Sequence, residues 1–98
     1  MTIEIKRKEN QTTIKIVGSL DAITAPTFEK TMRDSISDRQ DLVLDLTGLE
    51  DVSDAGVSAI LEAQRKMQRF GSLRAIGVRE SVMDVFKRTG VVHVLVME

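Results

Sequence analysis

Asp41-Leu42-Val43-Leu44-Asp45-Leu46-Thr47-Gly48-Leu49-Glu50-Asp51-Val52-Ser53-Asp54-Ala55-Gly56-Val57 changes character along its length. Leu42 to Leu46 is apolar apart from Asp45, the pattern of a central strand covered on both faces. Thr47 to Ser53 mixes hydroxyls, carboxylates and Gly48 and reads as a short loop. Val57 then opens the longest helix, running to about Phe70, with Val57, Ile60, Leu61 and Met67 on its inner face and Glu62, Arg65, Lys66 and Arg69 toward water. Gly71 suits the C-cap of that helix. A loop entering a helix exposes backbone N–H groups at the positive end of the dipole, a place for an anion or a phosphoryl group.

Upstream, Ile3 and Ile5 alternate with Glu4 and Lys6, and Ile14 and Ile16 share one face of Thr12 to Val17. Two such runs joined by the polar Lys8 to Gln11 predict an antiparallel hairpin, with Gly18 stopping the second strand. Thr24 suits an N-cap and Pro26 the first helical turn. Glu29 lies near the positive end of the dipole, and Phe28, Met32 and Ile36 form one buried stripe. Ser37 to Gln40 ends this helix.

Downstream, Leu73 to Val78 predicts a strand, and Glu80 to Thr89 a helix with Val82, Val85 and Phe86 inward, closed by Gly90. Val91 to Val96 predicts a last strand. The order β-β-α-β-α-β-α-β implies an α/β domain over residues 1–98, with a mixed, mostly parallel sheet, right-handed crossovers and amphipathic helices packed on it.

The whole chain bounds what this domain does. Its 98 residues suit one core, and a 42% hydrophobic, 30% charged composition is that of a globular chain. Net charge is −1 with basic and acidic residues interspersed, which argues against the basic stripe that nucleic acid requires. The absence of cysteine excludes disulfides, thiolate metal sites and cysteine nucleophiles. The opening alternation predicts no signal peptide, and no apolar run reaches the length of a membrane span, so a cytoplasmic location is expected.

The candidate chemistry is sparse. His93, the only histidine, falls in the predicted last strand with no serine partner nearby in sequence. Asp21, Asp45, Asp51 and Asp54 offer carboxylates to a Mg²⁺ ion, but solvated, helix-capping acids explain them more simply. Gly48 and Gly56 are too far apart for a phosphate-cradling loop, and no lysine follows Gly56. No catalytic residue, metal or cofactor is therefore expected. Ser53 and Asp54 are both good N-caps for the longest helix, worth about 1 kcal/mol each. A phosphoryl group there would add about −1.5 to −2 charges to an already acidic rim and repel a partner docked across it.

Gly18-Ser19-Leu20-Asp21-Ala22 with Thr24-Ala25-Pro26 resembles the second-strand exit of STAS domains, found in anti-sigma factor antagonists and sulfate-transporter tails. Leu42 to Leu49, then Val52-Ser53-Asp54-Ala55-Gly56-Val57, is similar to that family's strand and phosphorylation loop, and the resemblance covers essentially the whole chain. It implies a cytoplasmic bacterial antagonist that binds an anti-sigma factor serine kinase by partner switching, with a serine phosphatase reversing phosphorylation. It places partner contacts at Asp21, Thr24, Asp51, Ser53, Asp54, Ala55 and Gly56. The phosphoacceptor position falls on Ala55, which has no hydroxyl; Ser53 is the nearest candidate and Ser58, within the helix, the next. Two other readings are a stand-alone STAS subunit of a transporter complex and a small nucleotide-binding regulator.

Overall fold

The computed structural model describes residues 1–35 and 41–98. The expected Ile36 of the first helix stripe and the Ser37 to Gln40 helix end lie outside these residues. In chain order the elements are β1 (Thr2–Arg7), β2 (Gln11–Leu20), α1 (Ala25–Ser35), β3 (Asp41–Val52), α2 (Asp54–Met67), β4 (Leu73–Ile76), α3 (Glu80–Thr89), a 3-10 turn (Val91–His93) and β5 (Val96–Met97). One sheet holds the strands in the order β1-β2-β3-β4-β5. The β1–β2 hairpin is antiparallel and every later pair is parallel, the mixed topology that the sequence predicts.

Each parallel strand is added at the same edge, so crossovers of one hand lay the helices on one face. Accordingly Phe28 and Met32 of α1, Ile60 and Met67 of α2, and Val82 and Phe86 of α3 join one buried cluster with Leu42, Leu44 and Leu46 of β3. Val43 is also buried but stands outside that cluster, level with Thr13 of β2 and Arg74 of β4. The central strand is thus covered by helices on one face, not both.

The largest departure from expectation is the length of β2 and β3. Gly18 does not end β2; it takes a positive φ of 106°, pairs with Leu49, and the strand continues to Leu20. Beyond Leu46 the expected loop is strand as far as Val52. Two register shifts explain why the sequence hides it. Lys15 pairs with Asp45 but Val17 with Gly48, and Gly18 pairs with Leu49 but Ser19 with Asp51. Each shift is a bulge that adds one residue to β3, so the buried positions step from Leu46 to Leu49 to Val52 and break the period of two. Asp45 braces the first bulge, its Oδ1 accepting from Thr47 Oγ1 at 2.6 Å and Thr47 N at 3.0 Å.

Smaller corrections follow from local hydrogen bonding. α2 starts at Asp54 and ends at Met67, with Gln68 as C-cap in a right-handed conformation. Gly71 is not that cap; its N–H donates to Met67 O at 3.0 Å to close the following turn. Leu61 and Glu62 are both half-buried on the flank of α2. β4 stops at Ile76, ahead of the positive-φ Gly77. Glu29 lies beyond the first turn of α1, which carries no acid. α3 matches its predicted bounds, and Gly90, at φ 83°, is its left-handed C-cap. Past it, His93 N donates to Gly90 O and Val94 N to Val91 O, at 3.0 and 3.1 Å. These bonds wind Val91–His93 into a turn that buries Val91 and Leu95, leaving only Val96–Met97 for the last strand.

Candidate functional site

The two lengthened strands end side by side, with Leu20 opposite Val52 in register. From that point β2 turns into α1 and β3 enters α2. Ser53 is the single residue between β3 and α2. Its N–H donates to Leu20 O at 2.9 Å, its carbonyl accepts from Val57 N at 2.8 Å, and its Oγ accepts from Gly56 N at 3.3 Å. Ser53 is therefore the N-cap of α2, as its type predicts, and it also ties that cap to β2.

Gly56 shows how close the two segments come. A Cβ at this position would run into the carbonyl oxygen of Leu20 and stand 2.8 Å from Val52 Cγ2. Only a residue without a side chain lets the first turn of α2 lie against the end of β2. The same turn exposes Asp54, half-buries Ala55 and buries Gly56. Ser58, one turn further along, is exposed.

The turn out of β2 is held by a different set of bonds. Asp21 Oδ1 accepts from Ile23 N at 2.9 Å and Thr24 N at 3.1 Å, with Thr24 Oγ1 3.3 Å away. Thr24 Oγ1 accepts from Asp21 N at 2.9 Å and donates to Ser19 O at 2.9 Å. Ala25 N donates to Asp21 O at 2.7 Å. Thr24 occupies the expected N-cap position of α1, its carbonyl accepting from Phe28 N at 3.1 Å, but its hydroxyl points back to β2; Asp21 takes the N–H groups of the turn. The backbone N–H of Thr24, then those hydrogen bonds from Ile23 N and the Thr24 hydroxyl, outweigh partial desolvation and hold the Asp21 carboxyl below the usual range. At Asp45, partial burial raises the carboxyl pKa, but the Thr47 hydroxyl and N–H, helped by Lys15 and Lys6, win and lower it.

Asp21, Thr24, Ser53 and Gly56 are therefore brought together by contacts with Ser19 and Leu20. Asp51, exposed and level with Ser19, and Asp54, exposed at the helix start, border them. Among the described residues none of Asp21, Glu50, Asp51 and Asp54 lies within ion-pair distance of a cation. The described residues contain no group of three or more His, Asp or Glu able to hold a metal ion. His93 lies on the 3-10 turn, exposed, and not in a strand.

Three features of this end went unread in the sequence. Ile23, between Asp21 and Thr24, is 87% exposed. Arg79 Nε donates to Thr47 O at 2.8 Å, and Ser81 Oγ to Glu50 O at 3.4 Å, so the start of α3 is tied to the bulged half of β3. Gly77, at φ 67°, makes room for this, since a Cβ there would strike Thr47 Cγ2. The Asp-x-x-Thr spacing could have signalled Ile23, because an Asx turn projects the residue between its partners. Nothing local in the sequence signals Arg79 or Ser81.

Comparison with known proteins places this geometry in context. The family model described as STAS domain matches residues 2–98. No curated protein matches the chain in sequence. Among solved structures, an anti-sigma factor antagonist from Mycobacterium paratuberculosis superposes with a TM-score of 0.88 at 18% identity, covering 98% of this chain and 83% of that one. The Bacillus anti-sigma factor antagonist SpoIIAA, in its unphosphorylated form, gives 0.81 at 14% identity over 99% and 88%. A sulfate transporter family protein from Wolinella succinogenes gives 0.79 at 19% identity over 92% and 78%. These likenesses are likenesses of fold.

Proposed function

Because the chain belongs to the STAS domain family, we propose that it is an anti-sigma factor antagonist that binds a serine-kinase anti-sigma factor at the β2–β3 exit corner and the N-terminus of α2. The carrying observation is the exposed acidity of Asp51 and Asp54, free of ion pairs among the described residues, on a backbone fixed by hydrogen bonds. A rigid surface with uncompensated charge gains most from a complementary partner, since little ordering cost is added on docking. The chain acts by binding, in the cytoplasm, with no cofactor and no catalytic group of its own. No helix among its described residues is long and apolar enough to cross a membrane.

Partner switching here runs on a different chemical basis from a serine at the Ala55 position. Ala55 offers no hydroxyl, and the Ser53 hydroxyl is committed to Gly56 N. Asp54 supplies a permanent charge on the exposed side of the same turn. Control by a kinase and a serine phosphatase would then have to use Ser53, whose oxygen already accepts from Gly56 N, or Ser58. Incubation with the cognate kinase and ATP, read by mass spectrometry, tests this: no phosphate at Ser53 is expected, and phosphate there that is lost in Ser53→Ala would overturn it.

A second reading, a subunit of a transporter complex, is favoured by the fold likeness to the Wolinella succinogenes protein. Affinity purification with mass spectrometry separates the two. Recovery of a serine-kinase anti-sigma factor supports the first, and a membrane ATPase complex the second.

A further inference from the structure

Ile23 is the most exposed of the large apolar side chains among the described residues, at 87% against 61% for Val96, 49% for Val94 and 41% for Phe70. A single exposed aliphatic side chain is commonplace on a protein surface. What distinguishes Ile23 is its setting. Its own N–H is held by Asp21 Oδ1 at 2.9 Å, and the next residue is bonded through N–H and hydroxyl to Asp21 and Ser19. The side chain is thus presented on backbone that has little freedom left to lose. It also stands at the strand exit that carries Asp21, beside the exit that carries Asp51 and Asp54, neither of which forms an ion pair among the described residues.

An apolar knob next to a strand exit that carries the exposed carboxylates Asp51 and Asp54 has the elements of an interface anchor with a charged rim, in which the anchor supplies affinity and the rim supplies orientation and rate. We infer that Ile23 is the apolar anchor of the docking surface, and that the partner is a protein presenting an apolar pocket bordered by Arg or Lys side chains. The inference rests on the proposed binding function and assigns within it the apolar contact that adds to the charged one. The charge pattern selects the occupant: a second copy of this chain would bring its own acidic corner against this one, whereas a basic surface neutralises Asp51 and Asp54 as Ile23 is buried.

The test uses the full chain and each purified serine-kinase anti-sigma factor of the host, titrated by calorimetry at low and high salt. Ile23→Ala is expected to weaken binding at least tenfold at both salt concentrations, and Ile23→Leu to retain it within about threefold. Asp51→Asn with Asp54→Asn is expected to weaken binding at low salt and much less at high salt, because a solvated rim is screened. Ile23 makes almost no intramolecular packing contact to lose, so its variants should melt with the parent, which separates a lost anchor from a lost fold. A kinase that binds the wild type and loses less than tenfold on Ile23→Ala overturns the anchor and leaves the proposed function standing. Failure of every such kinase to bind the wild type overturns both.

Discussion

The two ends of α2 solve the problem of a helix terminus in opposite ways. At the N-terminus the cap is a side chain, Ser53, whose backbone is also bonded to β2, and Gly56 brings the first turn against Leu20. The charges there, Asp51 and Asp54, are left for solvent. At the C-terminus the last turn carries Arg65 and Lys66, which suit the negative end of the dipole, and both point at Glu62 on the same helix. One end is rigid with its charges unspent. The other shares one carboxylate, Glu62, between Arg65 and Lys66, and Gln68 closes it by backbone bonds alone. A partner that brings cations therefore finds its complement at the N-terminal end, on backbone that is already ordered.

The contrast breaks most sharply at Gly56. Gly56→Ala sets a methyl group against a backbone carbonyl that cannot swing away, and overpacking of this kind costs about 1–3 kcal/mol. It should lower the thermal midpoint by several degrees, whereas Arg69→Ala, exposed just beyond the other end, should shift it far less. Equal effects would show that the two ends are held alike.

Ser53→Ala removes the side-chain cap and should cost about 1 kcal/mol in chemical denaturation, with amide exchange quickening at Gly56 first. Gln68→Ala, with no side-chain cap to lose, should be near neutral. A smaller effect comes from pH. The Asp21 carboxyl is held below its ordinary value in the folded chain, so the unfolded chain binds more protons between the two values. Its contribution is complete above about pH 4 and fades as pH falls through the folded pKa. The loss of thermal midpoint from pH 6 to pH 3 should therefore be smaller in Asp21→Asn than in the wild type, since the amide oxygen still accepts from Ile23 and Thr24. Smallest of all, Glu62→Gln should cost no more than about 0.5 kcal/mol, because its pairs with Arg65 and Lys66 are solvated and within one helix.

What could be read in advance divides along β3. Its first half, Leu42 to Leu46, has the apolar continuity of a central strand, and the element order with the β1–β2 hairpin followed from similar periodic runs. Its second half escaped because two bulges replace alternation by steps of three, which a period-two template does not match. The last strand failed for the reverse reason. Val91 to Val96 is apolar throughout, so periodicity could not tell strand from turn, and the left-handed Gly90 decided it. At the candidate site, Asp21, Ser53 and Gly56 were legible because caps and close approaches demand particular residue types. Ile23 could be read only through the Asp-x-x-Thr turn that presents it, and Arg79 not at all, since what sets it apart is its bond to the distant Thr47 carbonyl.

The central claim is that uncompensated charge on this corner governs docking. Its most direct measurement is the affinity of the purified serine-kinase anti-sigma factor for the wild type and for Asp51→Lys with Asp54→Lys, across a range of salt. The account predicts a loss of at least tenfold on charge reversal, with the salt dependence of binding inverted in sign. An affinity and a salt slope unchanged by the reversal would contradict it.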